Sequence, residues 1–264
     1  MTVDGLDTPV AVIEVHVVVP TPDGRCDAVF LHPASGAHPG VLIWPDAFGL
    51  RPVMRDLAKR LAAEGYAVLV PNPFYRSAKA PVLTGPFSFQ NPADRAKLGQ
   101  LVAPLHAPGA TQQDAGAYIA FLDAQPQVDT TKPIGTQGYC MGGALAVRTA
   151  AALPQRVGAA ASFHGGSLVT EQPDSPHLLA PMIRARMYFG IAANDDTRQP
   201  EAKDVLREAF ATAHVPAEIE VYAGALHGWC IPDMPVEHGA PIYNAPAAER
   251  AWGKLLDLYR QVLT

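Results

Sequence analysis

Ten residues near the middle of the chain decide its fold: Ile134-Gly-Thr-Gln-Gly-Tyr-Cys-Met-Gly-Gly143. Hydrophobic periodicity predicts a strand over Ile134–Gly138 and a helix over Gly142–Ala152. Between them, two glycines flank a cysteine at the spacing of a nucleophile elbow, a strained turn in which a β-carbon at either glycine would collide with neighbouring backbone. The stretch therefore predicts a strand, a sharp turn and a helix, with Cys140 at the tip of the turn.

The position of Cys140 indicates a nucleophile. The helix that follows points the positive end of its dipole at the sulfur, which favours the thiolate over the thiol. The main alternative is a small buried cysteine packed behind a glycine-rich turn, because free cysteine is among the most buried residue types. A redox-reactive thiol is a third interpretation, but no second cysteine lies near Cys140 in the sequence to resolve an oxidised form.

A cysteine nucleophile needs a base, and the best candidate is His227 in Ala225-Leu-His-Gly-Trp229. It lies just beyond a predicted strand that ends at Tyr222, the place where an elbow nucleophile finds its histidine. The alternative is a loop histidine that hydrogen-bonds only to backbone. His164, in Phe163-His-Gly-Gly166, also follows a predicted strand, but it precedes the candidate acids, so we expect it to support the site or its backbone.

Two adjacent aspartates are candidates for the carboxylate that orients the base. Asp195 and Asp196 lie in Ala193-Asn-Asp-Asp-Thr197, just beyond a strand predicted over Arg186–Ala192. We favour Asp195, because it comes first after the strand and follows Asn194, which can make the turn. Asp196 remains the second candidate, and either residue could instead be a solvated aspartate that caps the next helix.

The rest of the chain alternates strands with helices, which is typical of an α/β fold with a mostly parallel sheet and helices on both faces. The beginning differs: two β-rich runs, Val10–Val19 and Cys26–His32, flank the turn sequence Thr21-Pro-Asp-Gly24 and predict an antiparallel hairpin at the amino-terminal edge. The other strands are predicted over Val41–Trp44, Tyr66–Val70, Ala159–Phe163, Arg186–Ala192 and Ala217–Tyr222, and the other helices over Met54–Glu64, Asp114–Leu122, Glu201–Ala213 and Ala247–Val262.

The 264 residues are compatible with one α/β domain, which we predict over 1–264. No repeat or Gly/Ser-rich linker divides the chain. The stretch 77–109 holds many prolines and little periodicity. An irregular segment of this length inside a domain is usually functional, so we predict a lid or pocket wall there.

Composition excludes several classes of protein. The chain is 48% hydrophobic without an apolar run near eighteen residues, which argues against a membrane protein. The first nine residues do not resemble a secretory signal, and three scattered cysteines do not form a disulfide framework, so we predict a cytoplasmic location. A formal charge of −5 with no basic block argues against nucleic-acid binding.

From about Val41 to Val262 the chain resembles the dienelactone hydrolase family of the α/β-hydrolase superfamily. The resemblance is carried by Asp46-Ala-Phe-Gly-Leu50, Ala63-Glu-Gly-Tyr66, Val70-Pro-Asn-Pro-Phe-Tyr-Arg76, Gly138-Tyr-Cys-Met-Gly-Gly143, His227-Gly-Trp229 and Tyr243-Asn-Ala245. It implies the α/β-hydrolase fold, a triad of Cys140, Asp195 and His227, and an oxyanion hole formed by the backbone N–H groups of Met141 and Ala47.

The resemblance also implies substrate contacts and reveals two departures. Asp46 stands where the well-studied branch of the family has a glutamate that contacts the resting thiol. Arg76 matches the first of two arginines that hold the substrate carboxylate, but Ile231 stands in place of the second. The resemblance therefore does not extend to the binding of an anionic lactone. Phe48 and Trp229 are expected at the substrate, and the other apolar candidates for the pocket are Trp44, Phe74, Phe87, Phe89 and Met141.

Together these features predict a hydrolase that cleaves an ester or lactone bond of a small molecule through an acyl-thioester on Cys140. The mechanism requires no metal and no organic cofactor. We expect a monomer or a homodimer. The alternative is a non-catalytic member of the same fold that binds a ligand or partner.

Overall fold

The computed structural model describes residues 10–237 and 240–264. Eight strands form the central sheet: β1 (Val12–Thr21), β2 (Gly24–Pro33), β3 (Gly40–Trp44), β4 (Ala67–Pro71), β5 (Ile134–Tyr139), β6 (Val157–Phe163), β7 (Arg186–Ala192) and β8 (Ala217–Tyr222). Their order is β1-β2-β4-β3-β5-β6-β7-β8. β2 pairs antiparallel with β1 and β4, and every other neighbouring pair in this sheet is parallel. The predicted α/β fold is confirmed.

The amino-terminal hairpin forms where the turn sequence predicts it. Thr21 pairs with Gly24 across a two-residue loop, and Gly24 has a φ of 144°. Such a backbone is open to glycine and strained for other residues, which explains the glycine at this turn. β1 begins at Val12 and not at Val10, and β2 extends beyond its predicted range at both ends, so that the ladder continues up to the turn.

Seven helices accompany the sheet in the described part of the chain: α1 (Pro52–Ala63), α2 (Pro92–Val102), α3 (Ala110–Asp123), α4 (Met141–Ala152), α5 (Ala193–Arg198), α6 (Ala202–Thr212) and α7 (Ala245–Val262). Short 3-10 helices lie at Ala103–His106 and Pro176–Met182, and a small hairpin pairs β9 (Val236–Glu237) with β10 (Ala240–Pro241). None of the helices in these ranges is long and apolar enough to cross a membrane.

The core lies on both faces of the sheet. Side chains alternate along β3, so that Val41 and Ile43 belong to the cluster with α1 and α7, whereas Leu42 and Trp44 belong to the cluster with α3, α4 and α6. This two-sided burial explains why the parallel strands read as continuous apolar runs in the sequence.

The segment 77–109 is more regular than predicted, because it contains α2. Asn91 caps this helix by accepting a hydrogen bond from the backbone N–H of Ala93 at 2.9 Å, and Pro92 occupies the first helical position. Only Leu101 is buried along the helix. A helix without a broad apolar face leaves no hydrophobic periodicity in the sequence, which is why the pattern missed it.

Candidate active site

The turn after β5 has the geometry of a nucleophile elbow. Cys140 has a φ of 55° and a ψ of −120°, a backbone conformation that L-residues rarely adopt. A β-carbon at Gly138 would overlap the carbonyl group of Gly142, and one at Gly142 would overlap the carbonyl oxygen of Trp44. The strand, the turn and α4 are therefore packed so closely that both positions need glycine.

Backbone hydrogen bonds hold this strained turn in place. The N–H of Cys140 points at the carbonyl oxygen of Phe163 and at Nδ1 of His164, both at 3.1 Å. The carbonyl oxygen of Cys140 accepts from the N–H groups of Gly143 at 3.0 Å and Gly166 at 3.2 Å. The Cys140 side chain stays partly exposed, whereas Cys26 and Cys230 are buried.

His227 lies on the loop after β8 and lines the same cavity as Cys140. Its Nδ1 is 2.6 Å from Oδ2 of Asp195, and Cys140 is close enough to raise the pKa of the ring. Because Nδ1 faces the carboxylate, Nε2 is the ring nitrogen available to the thiol. The backbone N–H of His227 donates to Oδ1 of Asn194 at 2.9 Å. The structure thus brings together three residues that are far apart in the sequence.

The two adjacent aspartates have different partners. Asp195 lies in the first turn of α5, directly after β7, and faces His227. Asp196 points elsewhere, with its Oδ1 2.7 Å from Nζ of Lys203. Both lie in a short helix and not in an open turn. Asn194 is a site residue that the sequence analysis assigned only to the turn, because nothing local indicates that its side chain reaches a loop 33 positions away.

The charge on His227 follows from its neighbours. Burial alone would lower the pKa of His227, but the hydrogen bonds to Asp195 and Cys140 and the negative charge of both partners outweigh it. They raise the pKa of His227 to about 10. At neutral pH the ring is therefore an imidazolium, the state that stabilises a neighbouring thiolate.

His164 is a buried neighbour of both Cys140 and His227. Its ring is buried, lies with its centroid 5.1 Å from that of His227 and accepts a hydrogen bond at Nδ1 from Cys140. Its Nε2 has no partner among the described residues. Burial and the neighbouring charge of His227 lower the pKa of His164 well below its usual value, so this ring is neutral. A neutral ring with a free lone pair is what the Cys140 N–H requires.

The loop after β3 is fixed by a buried ion pair. Both oxygens of Asp46 accept from Arg51, at 2.6 and 2.9 Å, and Oδ1 also accepts from the N–H of Phe48 at 2.9 Å. Arg51 also donates two hydrogen bonds to the carboxylate of Asp233, both at 2.8 Å. The carboxylate of Asp46 is therefore bound to Arg51, and it shapes the loop that carries Ala47.

Replacing Arg51 with methionine is expected to lower the free energy of unfolding by about 3 kcal/mol, because it leaves the carboxylate of Asp46 buried without its cation. Urea unfolding monitored by fluorescence measures the change. The double variant Arg51→Met/Asp46→Asn should recover part of the loss. Arg55→Met, which breaks a more exposed pair with Glu14, is the control and should cost less than about 1 kcal/mol. Equal losses in Arg51→Met and Arg55→Met would contradict this account.

A cavity of about 640 Å³ opens over Cys140 and His227, within the size range of small-molecule sites. Its walls come from the loop after β3, the segment before α2, the elbow at Cys140, the loop after β6, helix α5, and the chain on both sides of the small β9–β10 hairpin. The lining residues are Asp46, Ala47, Phe48, Phe87, Ser88, Phe89, Gln90, Cys140, His164, Asn194, Arg198, His227, Gly228, Met234, Pro235, Val236 and Ile242. Among the residues that the structure describes, no group of three His, Cys, Asp or Glu side chains could hold a metal ion.

Comparison with known proteins assigns the chain to a family. The model of the dienelactone hydrolase family matches residues 26–263. The chain belongs to this family. A carboxymethylenebutenolidase of Rhodococcus opacus is 28% identical over 238 residues, which cover 89% of this chain and 86% of the relative.

Solved structures share the fold. A dienelactone hydrolase-like promiscuous phosphotriesterase from metagenomic libraries has a TM-score of 0.79 at 25% identity, covering 96% of this chain and 100% of the other. A dienelactone hydrolase from Anabaena variabilis has a TM-score of 0.63 at 17% identity, covering 96% and 99%, and this likeness shows the fold alone.

In this member of the dienelactone hydrolase family, two residues that were expected to contact the substrate do not line the cavity. Arg76 donates to both oxygens of Asp114, at 2.7 and 2.8 Å, and to Asp23. Because Asp114 is fully buried, its charge needs this arginine. The expectation that Arg76 holds a substrate in the cavity therefore does not agree with the structure.

Trp229 also lies outside the cavity. It is completely buried, stacks on Tyr222 with ring centroids 4.8 Å apart, and packs edge-to-face against the ring of His164. Trp44 and Phe74 are likewise core residues. Of the apolar candidates for the pocket, three line it: Phe48, Phe87 and Phe89.

Proposed function

We propose that this member of the dienelactone hydrolase family hydrolyses ester or lactone bonds with Cys140 as nucleophile, His227 as acid and base, and Asp195 as the residue that orients His227. The observation that carries the proposal is the row of the three side chains, in which Nδ1 of His227 is 2.6 Å from Asp195 and Cys140 is close enough to raise the pKa of the ring. Such a row at the floor of a cavity is what nucleophilic acyl transfer requires.

The reaction begins from the ion pair of thiolate and imidazolium. The Cys140 sulfur attacks the carbonyl carbon, and the tetrahedral intermediate collapses to a thioester as the alcohol leaves with a proton from His227. Water then attacks the thioester and gives a proton to the neutral His227. The second intermediate expels the thiolate and releases the carboxylic acid, which restores the ion pair. A thiol nucleophile acts only when reduced, which fits the predicted cytosolic location.

We assign the oxyanion hole to the backbone N–H groups of Met141 and Ala47. Met141 is the first residue of α4, where an N–H has no partner inside the helix. Ala47 lines the cavity on a loop that Asp46 and Arg51 hold in shape. Donors at these two places would face the oxygen on which negative charge develops during attack.

The proposal is tested by trapping the acyl-enzyme. Rapid quenching of a reaction with 4-nitrophenyl acetate, followed by intact-mass and peptide mass spectrometry, should show one acetyl group on the peptide that contains Cys140. His227→Gln should slow its release, because water then lacks a base. An acetyl group on a serine or lysine, or no adduct while ester is consumed, would contradict the mechanism.

Alkylation separates an enzyme from a non-catalytic binding protein of the same fold. Iodoacetamide at neutral pH should modify Cys140 at least about a hundredfold faster than the other two cysteines, because thiolate character and access control the rate. Burial raises the pKa of Cys26 to about 12 and raises that of Cys230 well above its ordinary value. Slow labelling of Cys140, at the rate of Cys26 and Cys230, would favour the binding protein.

The pH dependence of kcat/KM should follow the protonation of His227. Because the pKa of His227 is raised to about 10, the ring keeps its proton below that pH and loses it above. We expect kcat/KM to be level from neutral pH to about 9 and to fall as the pH passes about 10, when the leaving group loses its proton donor. Rates are corrected with Cys140→Ala for alkaline hydrolysis of the ester. A corrected profile that still rises above pH 10 would contradict an acid role for His227.

A further inference from the structure

We infer that the site selects uncharged esters or lactones that carry an aromatic or other bulky apolar group, and that it disfavours substrates with a carboxylate. This inference rests on the proposed function and adds the class of substrate. It depends on the shape and the charge of the cavity over Cys140, which differ from what a site for an anionic lactone needs.

One wall of the cavity is a cluster of three aromatic rings, formed by Phe48, Phe87 and Phe89. Their centroids lie 5.2 Å apart for Phe48 and Phe87, 5.9 Å for Phe48 and Phe89, and 4.9 Å for Phe87 and Phe89, all close to edge-to-face. Phe89 is 46% exposed, so part of its ring has no partner within the described residues. An aromatic or bulky aliphatic group of a substrate can cover this surface.

A second set of lining residues is aliphatic. It consists of Met234, Val236 and Ile242, and Val236 is 66% exposed. A substrate in contact with both sets would remove their apolar surface from water, which stabilises the complex in proportion to the area covered. The cavity volume of about 640 Å³ leaves room for a group much larger than acetyl.

The charges around the cavity offer no buried partner for an anion. Asp46, the carboxylate that lines the cavity in the described residues, is neutralised by Arg51, and the positive charge of His227 is matched by Asp195. His164 is neutral. A carboxylate placed among these groups would lose its water without gaining a cation, which is costly.

Apart from the ion-paired ring of His227, Arg198 is the cation that lines the cavity in the described part of the chain, and it lies at the rim. Its side chain is 69% exposed and its Nη2 is 3.2 Å from Oδ1 of Asp195. A charge pair so accessible to solvent is weak, so Arg198 would give an anionic substrate little in return for its desolvation. Arg76, which could have supplied a second cation, is held by Asp114.

Two esters with the same leaving group test the inference: 4-nitrophenyl hexanoate and the mono-4-nitrophenyl ester of adipic acid. Their acyl chains have the same length and differ in a terminal carboxylate. We expect kcat/KM to be at least about tenfold higher for the hexanoate. In Phe89→Ala, the ratio of kcat/KM for hexanoate to that for acetate should fall about fivefold or more. Leu178→Ala, which removes an exposed apolar side chain outside the cavity, should leave the ratio unchanged.

The outcomes distinguish the two proposals. Equal or faster hydrolysis of the adipate ester would overturn the substrate class while leaving the function intact. A hexanoate-to-acetate ratio that Phe89→Ala does not change would overturn the role of the aromatic wall. If neither ester is hydrolysed in a way that depends on Cys140, the proposed function fails and the substrate class fails with it.

Discussion

Replacing Cys140 with alanine is expected to lower kcat for ester hydrolysis by at least about a thousandfold, because the covalent path is lost and only the oxyanion donors and the cavity remain. Steady-state hydrolysis of 4-nitrophenyl esters measures the loss, and circular dichroism with thermal unfolding verifies that the variant is folded. The change removes one sulfur from a partly exposed position, so we expect the melting temperature to change little.

Cys230→Ala is the matched control. Cys230 is also a free cysteine, but it is buried and does not line the cavity over Cys140. Its replacement should leave kcat within about twofold, since surface and packing changes of this size act mainly on stability. If Cys140→Ala kept more than about a tenth of the activity, the nucleophile would have to lie elsewhere.

Replacing Asp195 with asparagine is expected to lower kcat by about a thousandfold or more, because the amide cannot hold His227 in the tautomer that serves Cys140. The loss of negative charge should also lower the pKa of His227, so that the alkaline fall of kcat/KM moves to lower pH. This shift separates an effect on the base from a general loss of structure.

The adjacent residue provides the control for Asp195. Asp196→Asn makes the same chemical change one position along the chain, but it breaks only a partly exposed pair with Lys203. We expect a loss of kcat below about threefold and no displacement of the pH profile. A larger effect at Asp196 than at Asp195 would reverse the assignment of the acid.

The alternation of strands and helices and the elbow could be predicted from local sequence, because both leave local traces. Buried parallel strands read as apolar runs, and a turn that excludes every β-carbon requires glycine at Gly138 and Gly142. The prediction failed for α2, since a solvated helix lacks an apolar face, and its only trace was Asn91 followed by Pro92.

Which residues line the cavity could not be predicted from local sequence. Arg76 was expected at the substrate, but a residue buried on α3, Asp114, holds its guanidinium. Trp229 was expected at the substrate and packs in the core instead. Asp114 lies 38 positions away from Arg76 in the sequence, and no local pattern of residues reveals which of two compatible partners a side chain will contact.

The sequence by itself determined the α/β architecture, the sharp turn at Cys140, and the placement of His227 and the two aspartates after late strands. Periodicity and steric exclusion act over a few residues, so they can be read along the chain. Only the tertiary structure decided that Asp195 and not Asp196 faces His227, that Arg51 binds Asp46, and that aromatic rings line the cavity. These contacts depend on side-chain directions and distances between separate elements, which arise when the sheet brings its strand ends together.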